Sequence, residues 1–395
     1  MYQVENKAVA EAIESDSRHF TAVLDFGDFQ IEKAQVGTIK PSFGSVQNET
    51  PCVGDVVSTQ CEVQIVEIPE DINLEGKEFQ LYLYAEDLEY EMAFNGHNKL
   101  QVWADYTLES IKNKTLQELD TDYMPSIPKE LIPICKLTVL KVVDNVDYYT
   151  LTCSDRLHFA DKRYHSYLSY PASSNDVVAE IAQKIGATAE IEPAQNYLVS
   201  SNGNYLVSSN GNRFITSTWQ FTIMRRPVGY TMRQVLSFIA AMRGKFVVCD
   251  RQGTIVQKWY SDGETKPLEL SQNQYYIDEP AINMKKIKIT GMSCKVDENT
   301  TLTVGNETGR MMEFECPYMT QDRLNEIFTI VNLDYYPCTF MQRLGDPRYD
   351  LWDKFSYRDS FLLMLNMDYT YDGGLMLDVD SGGNTDTESE ATGRY

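Results

Sequence analysis

The chain has 395 residues, enough for two or three domains at about 150 residues each and too many for a small disulfide-stabilised protein. Hydrophobic residues make up 43% and charged residues 24%, which is typical of a folded globular protein and excludes a disordered chain or a coiled coil. The net charge of −23 disfavours general binding to nucleic acid or anionic lipid.

Residue usage narrows the class further. The 25 Tyr, 16 Phe and 14 Pro favour strands and loops over a helical bundle. The eight cysteines include no CxxC pair, so we expect buried free thiols rather than a zinc ribbon or a disulfide framework. The N-terminus lacks the basic and apolar regions of a signal peptide, and no apolar run of about 18 residues occurs. We therefore expect a soluble protein, made in the cytoplasm, without stable membrane insertion.

The first 154 residues have the patterns of a β-rich domain. Residues 5–13 predict a short amphipathic helix, and a strand over 19–26 resumes at 29–31 after a turn. Between 38 and 68 the pattern alternates, with Cys61, Val63 and Ile65 on one face. Further strands are predicted over 79–84, 134–143 and 148–153. These elements predict a sheet that closes on itself.

Residues 155–265 predict a compact α+β module. A helix is indicated after Ser174 or Asn175 as N-cap, and Gly186 ends it. A second helix opens at Thr231, where Gln234 completes a capping box, and it leads into a strand pair that turns at 250–253.

Between the two helices, the octapeptide NYLVSSNG occurs twice, over 196–211. A surface loop is the simpler interpretation of this tandem duplication, because insertions cost little there. An adaptable contact loop is the alternative.

Residues 266–382 return to β structure, and 383–395 form a polar tail that we expect to be disordered. Strands are predicted over 284–290, 293–296, 301–304 and 311–315, followed by a helix with Thr320 as N-cap. A strand near 338–342, the loop GDPRYDLWD and a hairpin that turns at 372–374 complete the segment.

The sequence contains none of the strong catalytic motifs. GxSxG, HExxH, a complete Walker motif and GxGxxG after a strand are all absent. His158 and His165 are spaced for neither a helical metal site nor a known triad. The pairs Asp120/Asp122 and Asp378/Asp380 lack the loop of a calcium site. We predict no catalytic, cofactor-binding or metal-binding residue and no cofactor, although a carboxylate pair assembled from distant positions stays open.

Several strings, in their order, resemble a known family over nearly the whole chain. They include SRHFTAVLDFGDFQIEKAQVGTIKPSF and KEFQLYLYAED near the N-terminus, and LTCSDRLHFADKRYHSYLSYPASSNDVVAEIAQKIG with TMRQVLSFIAAMRGKFVVCDRQGTIVQKW in the middle. PYMTQDRLNEIFTIV, GDPRYDLWDKFSYRD and YTYDGGLMLDVDSGG follow toward the C-terminus. These strings are similar to the tail hub and tail-tip proteins of phages and prophages.

The resemblance implies a mainly β fold in which two related β-barrel domains, 1–154 and 266–382, flank the α+β domain. Three such chains would form a hub at the distal end of the tail tube, adapting its sixfold symmetry to the threefold symmetry of the tail tip. The implied partners are two further copies, the distal tail protein or tube ring, the tape measure protein, and tail fibre, spike or receptor-binding proteins. DNA would pass through the hub without specific binding, and no enzymatic activity is implied. The protein would be a virion component assembled in the host bacterial cytoplasm.

Other functions stay open. A receptor- or carbohydrate-binding tail protein would be favoured by an exposed aromatic cluster, for instance around Tyr197 and Tyr205. The same hub could belong to a phage-tail-like bacteriocin or a contractile injection device. An enzyme with a spatially assembled carboxylate pair is the third alternative.

Overall fold

The computed structural model describes most of the chain. The described residues are 1–14, 18–32, 35–47, 50–69, 72–87, 130–192, 196–197, 215–216, 220–267, 275–277, 286–331, 333–337, 339–342, 345–357 and 359–382. The predicted disordered tail and all but two residues of the duplicated segment lie outside these residues, as do Asp120, Asp122 and Tyr205.

The described part of the N-terminal segment has one helix and seven strands. They are α1 (Lys7–Glu14), β1 (Arg18–Asp25), β2 (Gln30–Glu32), β3 (Val36–Gly44), β4 (Gln60–Ile65), β5 (Glu78–Asp87), β6 (Ile132–Asp144) and β7 (Tyr149–Ser154). The alternation predicted for β4 is observed, since Cys61, Val63 and Ile65 are buried and the residues between them are more exposed. The predicted strand region 38–68 is broader than the strands, because residues 45–47 and 50–59 form turns and irregular backbone.

Where it is described, the middle segment contains two α-helices and short strands. They are β8 (Ala172–Ser173), α2 (Ser174–Ile185), β9 (Thr188–Ala189), β10 (Asn196–Tyr197), β11 (Ile215–Thr216), β12 (Thr222–Ile223), α3 (Met232–Arg243), β13 (Phe246–Cys249), β14 (Thr254–Lys258) and β15 (Thr265–Pro267). A short 3₁₀ helix, Arg156–Asp161, precedes them.

The helix caps follow the sequence closely. Gly186 ends α2 in the left-handed conformation, and Thr231 with Gln234 forms the predicted capping box of α3. The N-cap of α2 is Ser173, whereas Ser174 or Asn175 was expected. Ser173 still has an extended backbone, and its side chain accepts a hydrogen bond from the Asn175 amide at 3.1 Å.

The described residues of the C-terminal segment add one helix and ten strands. They are β16 (Tyr275–Ile277), β17 (Ile287–Lys295), β18 (Thr301–Gly305), β19 (Arg310–Glu315), α4 (Gln321–Ile330), β20 (Asp334–Tyr335), β21 (Thr339–Gln342), β22 (Lys354–Tyr357), β23 (Ser360–Leu363), β24 (Asn366–Asp372) and β25 (Gly374–Asp380). The strands expected over 284–290 and 293–296 are one strand, β17, with an irregularity between Ile289 and Gly291.

Eleven strands from both terminal segments form one sheet, in the order β16-β21-β25-β24-β3-β4-β7-β6-β5-β1-β2. Strand β3 pairs with β4 on one side and with β24 on the other, so the N-terminal strands continue into the C-terminal hairpin. The expected closure within the first 150 residues is not observed among the described strands, which form an open sheet that continues into the C-terminal hairpin and contains no closed barrel. The division into domains at 154, 265 and 382 stays a prediction.

The sheet curls around an apolar core. The hydroxyl of Tyr371 on β24 accepts a hydrogen bond from the Ala22 amide of β1 at 3.4 Å. Ile39, Leu83 and Leu375 lie within the same curl. A second core lies between α2 and α3, where the predicted apolar faces are buried. The seven cysteines among the described residues are free thiols, six of them buried.

Gly54 lets the segment before β4 approach the middle module. Its φ of +88° is in the left-handed region. A Cβ at this position would lie 3.0 Å from the carbonyl oxygen of Ser237 and 3.1 Å from Cβ of Ala241, both on α3. The Gly54 amide donates to the Lys245 carbonyl at 2.8 Å, and the Val247 amide donates to the Asp55 carbonyl. The segment thus pairs with β13 while it packs on α3.

We expect Gly54→Ala to destabilise the protein more than Gly76→Ala. Both glycines have positive φ, but a Cβ at Gly76 would have nothing within 4 Å. Both variants carry a backbone strain of about 1–2 kcal/mol, and Gly54→Ala should add about 1–3 kcal/mol of overpacking. Urea unfolding of the two variants and the wild type measures the difference. If both variants lose the same free energy of unfolding, α3 can shift to accommodate the Cβ at position 54 without an energetic cost.

Candidate functional site

Arg251 lies where the three predicted segments meet. It is in the turn between β13 and β14, which Asp250 shapes by accepting hydrogen bonds from the amides of Gln252 and Thr254 at 3.0 and 2.8 Å. Gly253 follows with φ +78° and passes against Lys136 of β6. This tight turn directs the Arg251 side chain out of the middle module.

The guanidinium of Arg251 binds both terminal segments. Nε donates to Asp350 Oδ1 at 2.7 Å, and Nη1 donates to the carbonyls of Pro133 and Pro347, each at 2.9 Å. Nη2 donates to the Tyr349 carbonyl at 2.7 Å. The group also lies 5.4 Å from the ring centroid of Tyr2. A single side chain of the middle module therefore ties β6 to the loop before β22.

That loop, GDPRYDLWD, is fixed by its own charges. Asp346 accepts a two-pronged contact from Arg348, with Nε to Oδ1 at 2.9 Å and Nη2 to Oδ2 at 2.7 Å. Tyr369 donates to the Asp346 carbonyl at 2.9 Å. Burial lowers the pKa of Arg348, but its hydrogen bonds and ion pairs with Asp346 and Glu14 outweigh burial and raise it.

Asp353, the last residue of this loop, holds it from the buried side. Its carboxylate is fully buried and accepts from the amides of Glu264 and Asp350 at 2.8 and 2.9 Å. The ammonium group of Met1 lies 3.0 Å from Asp353 Oδ2 and 3.2 Å from Asp350 Oδ2. The carboxylates therefore meet donors from three parts of the chain, so the loop is held as one structure.

An open cleft of about 510 Å³ lies beside Arg251. Tyr2, Trp352 and Gln252 are on its walls, together with Asp250 and with two ion pairs, Arg251–Asp350 and Lys258–Glu190. Lys258 Nζ lies 2.8 Å from a carboxylate oxygen of Glu190 and 5.7 Å from the centroid of the Trp352 ring. The cleft thus offers aromatic faces, the side-chain amide of Gln252 and the carboxylate of Asp250, which accepts hydrogen bonds from backbone amides.

Three more arginines cross the joints between segments. Arg156 Nε lies 2.6 Å from Glu78 of β5. Arg233 of α3 donates to the Val56 carbonyl at 2.7 Å. Arg323 of α4 donates to the Met242 carbonyl at the end of α3 at 2.7 Å. The joints are therefore built on guanidinium groups that satisfy carbonyl and carboxylate oxygens.

Two buried carboxylates lie near the same joints. Asp55 accepts from the Gln47 amide at 3.0 Å, and Asp155 accepts from the amides of Thr59 and Leu157 at 2.7 and 3.0 Å. Burial raises the pKa of Asp55 to about 7, against its backbone hydrogen bond. Burial likewise raises the pKa of Asp155 to about 6, and its hydrogen bonds oppose the shift.

The candidates from sequence do not converge on a reactive centre. His158 and His165 are both exposed. Asp378 lies opposite Asp368 across the β24–β25 pair rather than in a calcium loop. Within the described ranges, no group of three or more His, Cys, Asp or Glu is placed to hold a metal ion. No described helix is long and apolar enough to cross a membrane.

Sequence reasoning missed the Arg251 joint. The available signals were the Asp-Arg-Gln-Gly turn and the spacing of acidic residues in GDPRYDLWD. The turn was predicted, but nothing in the local pattern indicates which distant carbonyls its arginine reaches.

The chain is similar in structure to phage tail proteins. A prophage MuSo2 43 kDa tail protein from Shewanella oneidensis is 10% identical, with a TM-score of 0.44, covering 91% of this chain and 96% of that chain. A prophage tail protein gp18 from Listeria monocytogenes EGD-e has the same identity and TM-score, over 94% and 97%. The phage P2 baseplate, in its activated conformation with Ca, gives a TM-score of 0.24 at 10% identity, over 93% and 100%. No family model and no curated protein matches the chain.

We expect Arg251→Lys to lower the free energy of unfolding by about 3 kcal/mol or more, because lysine cannot reproduce the forked contacts to four oxygens. Urea unfolding measures the loss. Arg163→Lys, at an exposed arginine, is the matched control. If the two variants lose the same stability, Arg251 does not hold the segments together.

The raised pKa of Asp55 predicts a pH dependence of stability. Its pKa rises from an ordinary value of 3.8 to about 7, so folding favours the protonated carboxyl. This contribution is complete below pH 3.8 and is lost as the pH rises through about 7. Asp55→Asn should therefore show a smaller loss of stability than the wild type between pH 5 and pH 8.

The measurement is urea unfolding at both pH values. Asp147→Asn, at an exposed aspartate, is the control and should keep the wild-type pH dependence. Some dependence should persist in Asp55→Asn because Asp155 is also titrated in this range. An unchanged slope in Asp55→Asn would contradict the assignment.

Proposed function

We propose that the chain is a structural protein of a phage tail. The observation that carries this proposal is the eleven-stranded sheet, which takes strands from both ends of the chain and is tied to the middle module by Arg251. A body held at so many joints resists deformation, as a component of a tube or baseplate must. The strings that resemble tail hub and tail-tip proteins supply the tail assignment.

In this proposal three copies form a hub at the distal end of the tail tube. The hub adapts the sixfold tube to threefold tip symmetry and borders or closes the channel for genome ejection. Its other partners are the distal tail protein or tube ring, the tape measure protein, and fibre, spike or receptor-binding proteins that attach to the host cell. The net charge of −23 suits a wall along which DNA slides without sticking. The two terminal segments act as related barrel-like halves, and the protein has no enzymatic role.

A receptor- or carbohydrate-binding tail protein is the second candidate. The observation that favours it is the open cleft, where Tyr2 and Trp352 stand beside Gln252. Tyr205, which the sequence suggested for this role, lies outside the described residues, and the side chain of Tyr197 does as well. Saccharide-dependent quenching of fluorescence that disappears in Trp352→Phe would favour this candidate.

Light scattering on the purified chain tests the hub. We expect a mass of about 136 kDa, three times the 45.2 kDa of one chain. Electron-microscope averages along the symmetry axis should then show a three-protomer ring. A chain that stays monomeric, both alone and with a tail-tube ring protein, would contradict the trimeric hub.

A further inference from the structure

One long stretch of the sequence contains no acidic residues. Residues 193–249 contain no Asp or Glu, where the overall frequency of 58 in 395 would give about eight. Six Arg or Lys lie in the same stretch. Three of them have partners within the module, since Arg233 pairs with Asp161, Arg243 with Gln257, and Lys245 with Glu192. Arg225 and Arg226 lie at its exposed surface.

A second acid-free segment, 162–175, runs antiparallel beside these arginines. The Met232 amide donates to the Lys162 carbonyl at 3.0 Å, and Ile223 pairs with Ala172 at the other end. Arg226 Nη2 lies 3.3 Å from the Leu168 carbonyl between these points. We give the name basic strip to seven of the exposed side chains on the two segments, which are Lys162, Arg163, Tyr167, Met224, Arg225, Arg226 and Val228.

The basic strip combines positive charge with exposed large side chains. Tyr167 is 86% exposed, Met224 69% and Val228 77%. Tyr167 is also held in place, because its amide donates to Glu180 at 2.6 Å and Lys184 Nζ lies 3.8 Å from its ring centroid. Aromatic residues, Met and Arg are enriched at protein interfaces. Among the described residues, none forms an ion pair with the four cations of the strip.

The opposite chemistry lies on the β24–β25 hairpin. Tyr369, Leu377 and other alternate residues face the core, and the remaining ones face outward. We call the outward residues Asp368, Asp372, Met376 and Asp378 the acidic face. Asp368 and Asp378 are direct cross-strand partners, and like charges in this position destabilise a strand pair. Burial and the nearby Asp368 raise the pKa of Asp378. Met376 is 42% exposed.

We propose that the basic strip of one copy docks onto the acidic face of the next copy. This inference rests on the proposed hub and names the contact that builds it. The two surfaces are different parts of one chain, so the contact is head-to-tail and can close into a ring. Carboxylates at Asp368 and Asp378 meet Arg225 and Arg226, and exposed side chains of both surfaces are buried between them.

A second copy fits the basic strip better than nucleic acid or an anionic membrane does. Both of those ligands are repelled by the net charge of −23, and phosphates offer nothing to Met224 and Val228. Two copies also repel each other overall, so association needs local complementarity of this kind. Salt screens both the repulsion between whole copies and the attraction between the two surfaces, and these effects oppose each other. Charge reversal is therefore the more decisive test.

The experiment reverses each surface separately and then together. Arg225→Glu with Arg226→Glu places acid against acid, and Asp368→Lys with Asp378→Lys places base against base. For either pair, light scattering across a dilution series should show the midpoint concentration of trimer formation rising at least tenfold. The chain with all four substitutions restores complementarity and should assemble close to the wild-type midpoint.

Two control pairs change the net charge by the same amounts at other exposed positions. They are Lys7→Glu with Lys141→Glu, and Asp147→Lys with Glu298→Lys. Both should leave the midpoint within about threefold of the wild type. Circular dichroism and melting temperature verify that every variant is folded.

A further experiment uses the odd number of subunits in the proposed trimer. When the two reversed double variants are mixed, complementary contacts form only between unlike chains. A ring of three cannot alternate two kinds of chain, so the mixture should yield pairs or even-numbered rings and not the trimer.

Several outcomes would overturn the contact. Reversed variants that trimerise as the wild type does, or a fourfold variant that stays dissociated although folded, exclude this contact while the trimeric hub stands. A wild type that is monomeric alone and with a tube ring protein overturns the hub and the contact together. A mixture that forms trimers as readily as the wild type excludes the head-to-tail arrangement. Binding of single-stranded DNA or anionic vesicles that Arg225→Glu with Arg226→Glu abolishes would assign the strip to that ligand instead.

Discussion

The guanidinium of Arg251 is the constraint on which the arrangement of the chain depends. Three of its acceptors are backbone carbonyls, those of Pro133, Pro347 and Tyr349, which cannot pair with each other. Buried carbonyls need donors, and a planar group with five N–H bonds can serve several of them at once. The middle module therefore supplies what the two terminal segments lack, and its position follows from theirs.

The same logic explains how so acidic a chain packs. Basic residues are fewer than acidic ones, and several of them bind backbone carbonyls at the joints between segments. Arg233 donates to the Val56 carbonyl and Arg323 to the Met242 carbonyl. Carboxylates that remain are then left on the surface, which keeps the copies soluble and apart. The acid-free stretch 193–249 differs from the rest of this acidic surface, because its Arg225 and Arg226 are exposed.

Local structure was predictable from the sequence where one short pattern decides it. The alternation around Val63, the Thr231 capping box and the turn at Asp372–Gly374 each depend on a few neighbouring residues. The β22–β23 hairpin was missed because its four-residue strands have no Gly or Asn-Gly turn between them. The pairing of β3 with β24 joins residues more than 300 positions apart, and only the tertiary packing selects it. The Arg251 joint was missed for the same reason, since its acceptors come from distant segments.

In the β24–β25 hairpin, the same carboxylates destabilise the single chain and favour its association with a second copy. A cross-strand pair of aspartates such as Asp368 and Asp378 costs the isolated chain a few tenths of a kcal/mol to about 1 kcal/mol relative to neutral partners. The hairpin tolerates this cost because Tyr369, Leu377 and Val379 bury their side chains on the other side of the same strands. A cation brought to the outer face removes the repulsion without disturbing that packing. Charges that weaken the lone chain can thereby favour its assembly, and they discriminate against partners that present carboxylates of their own.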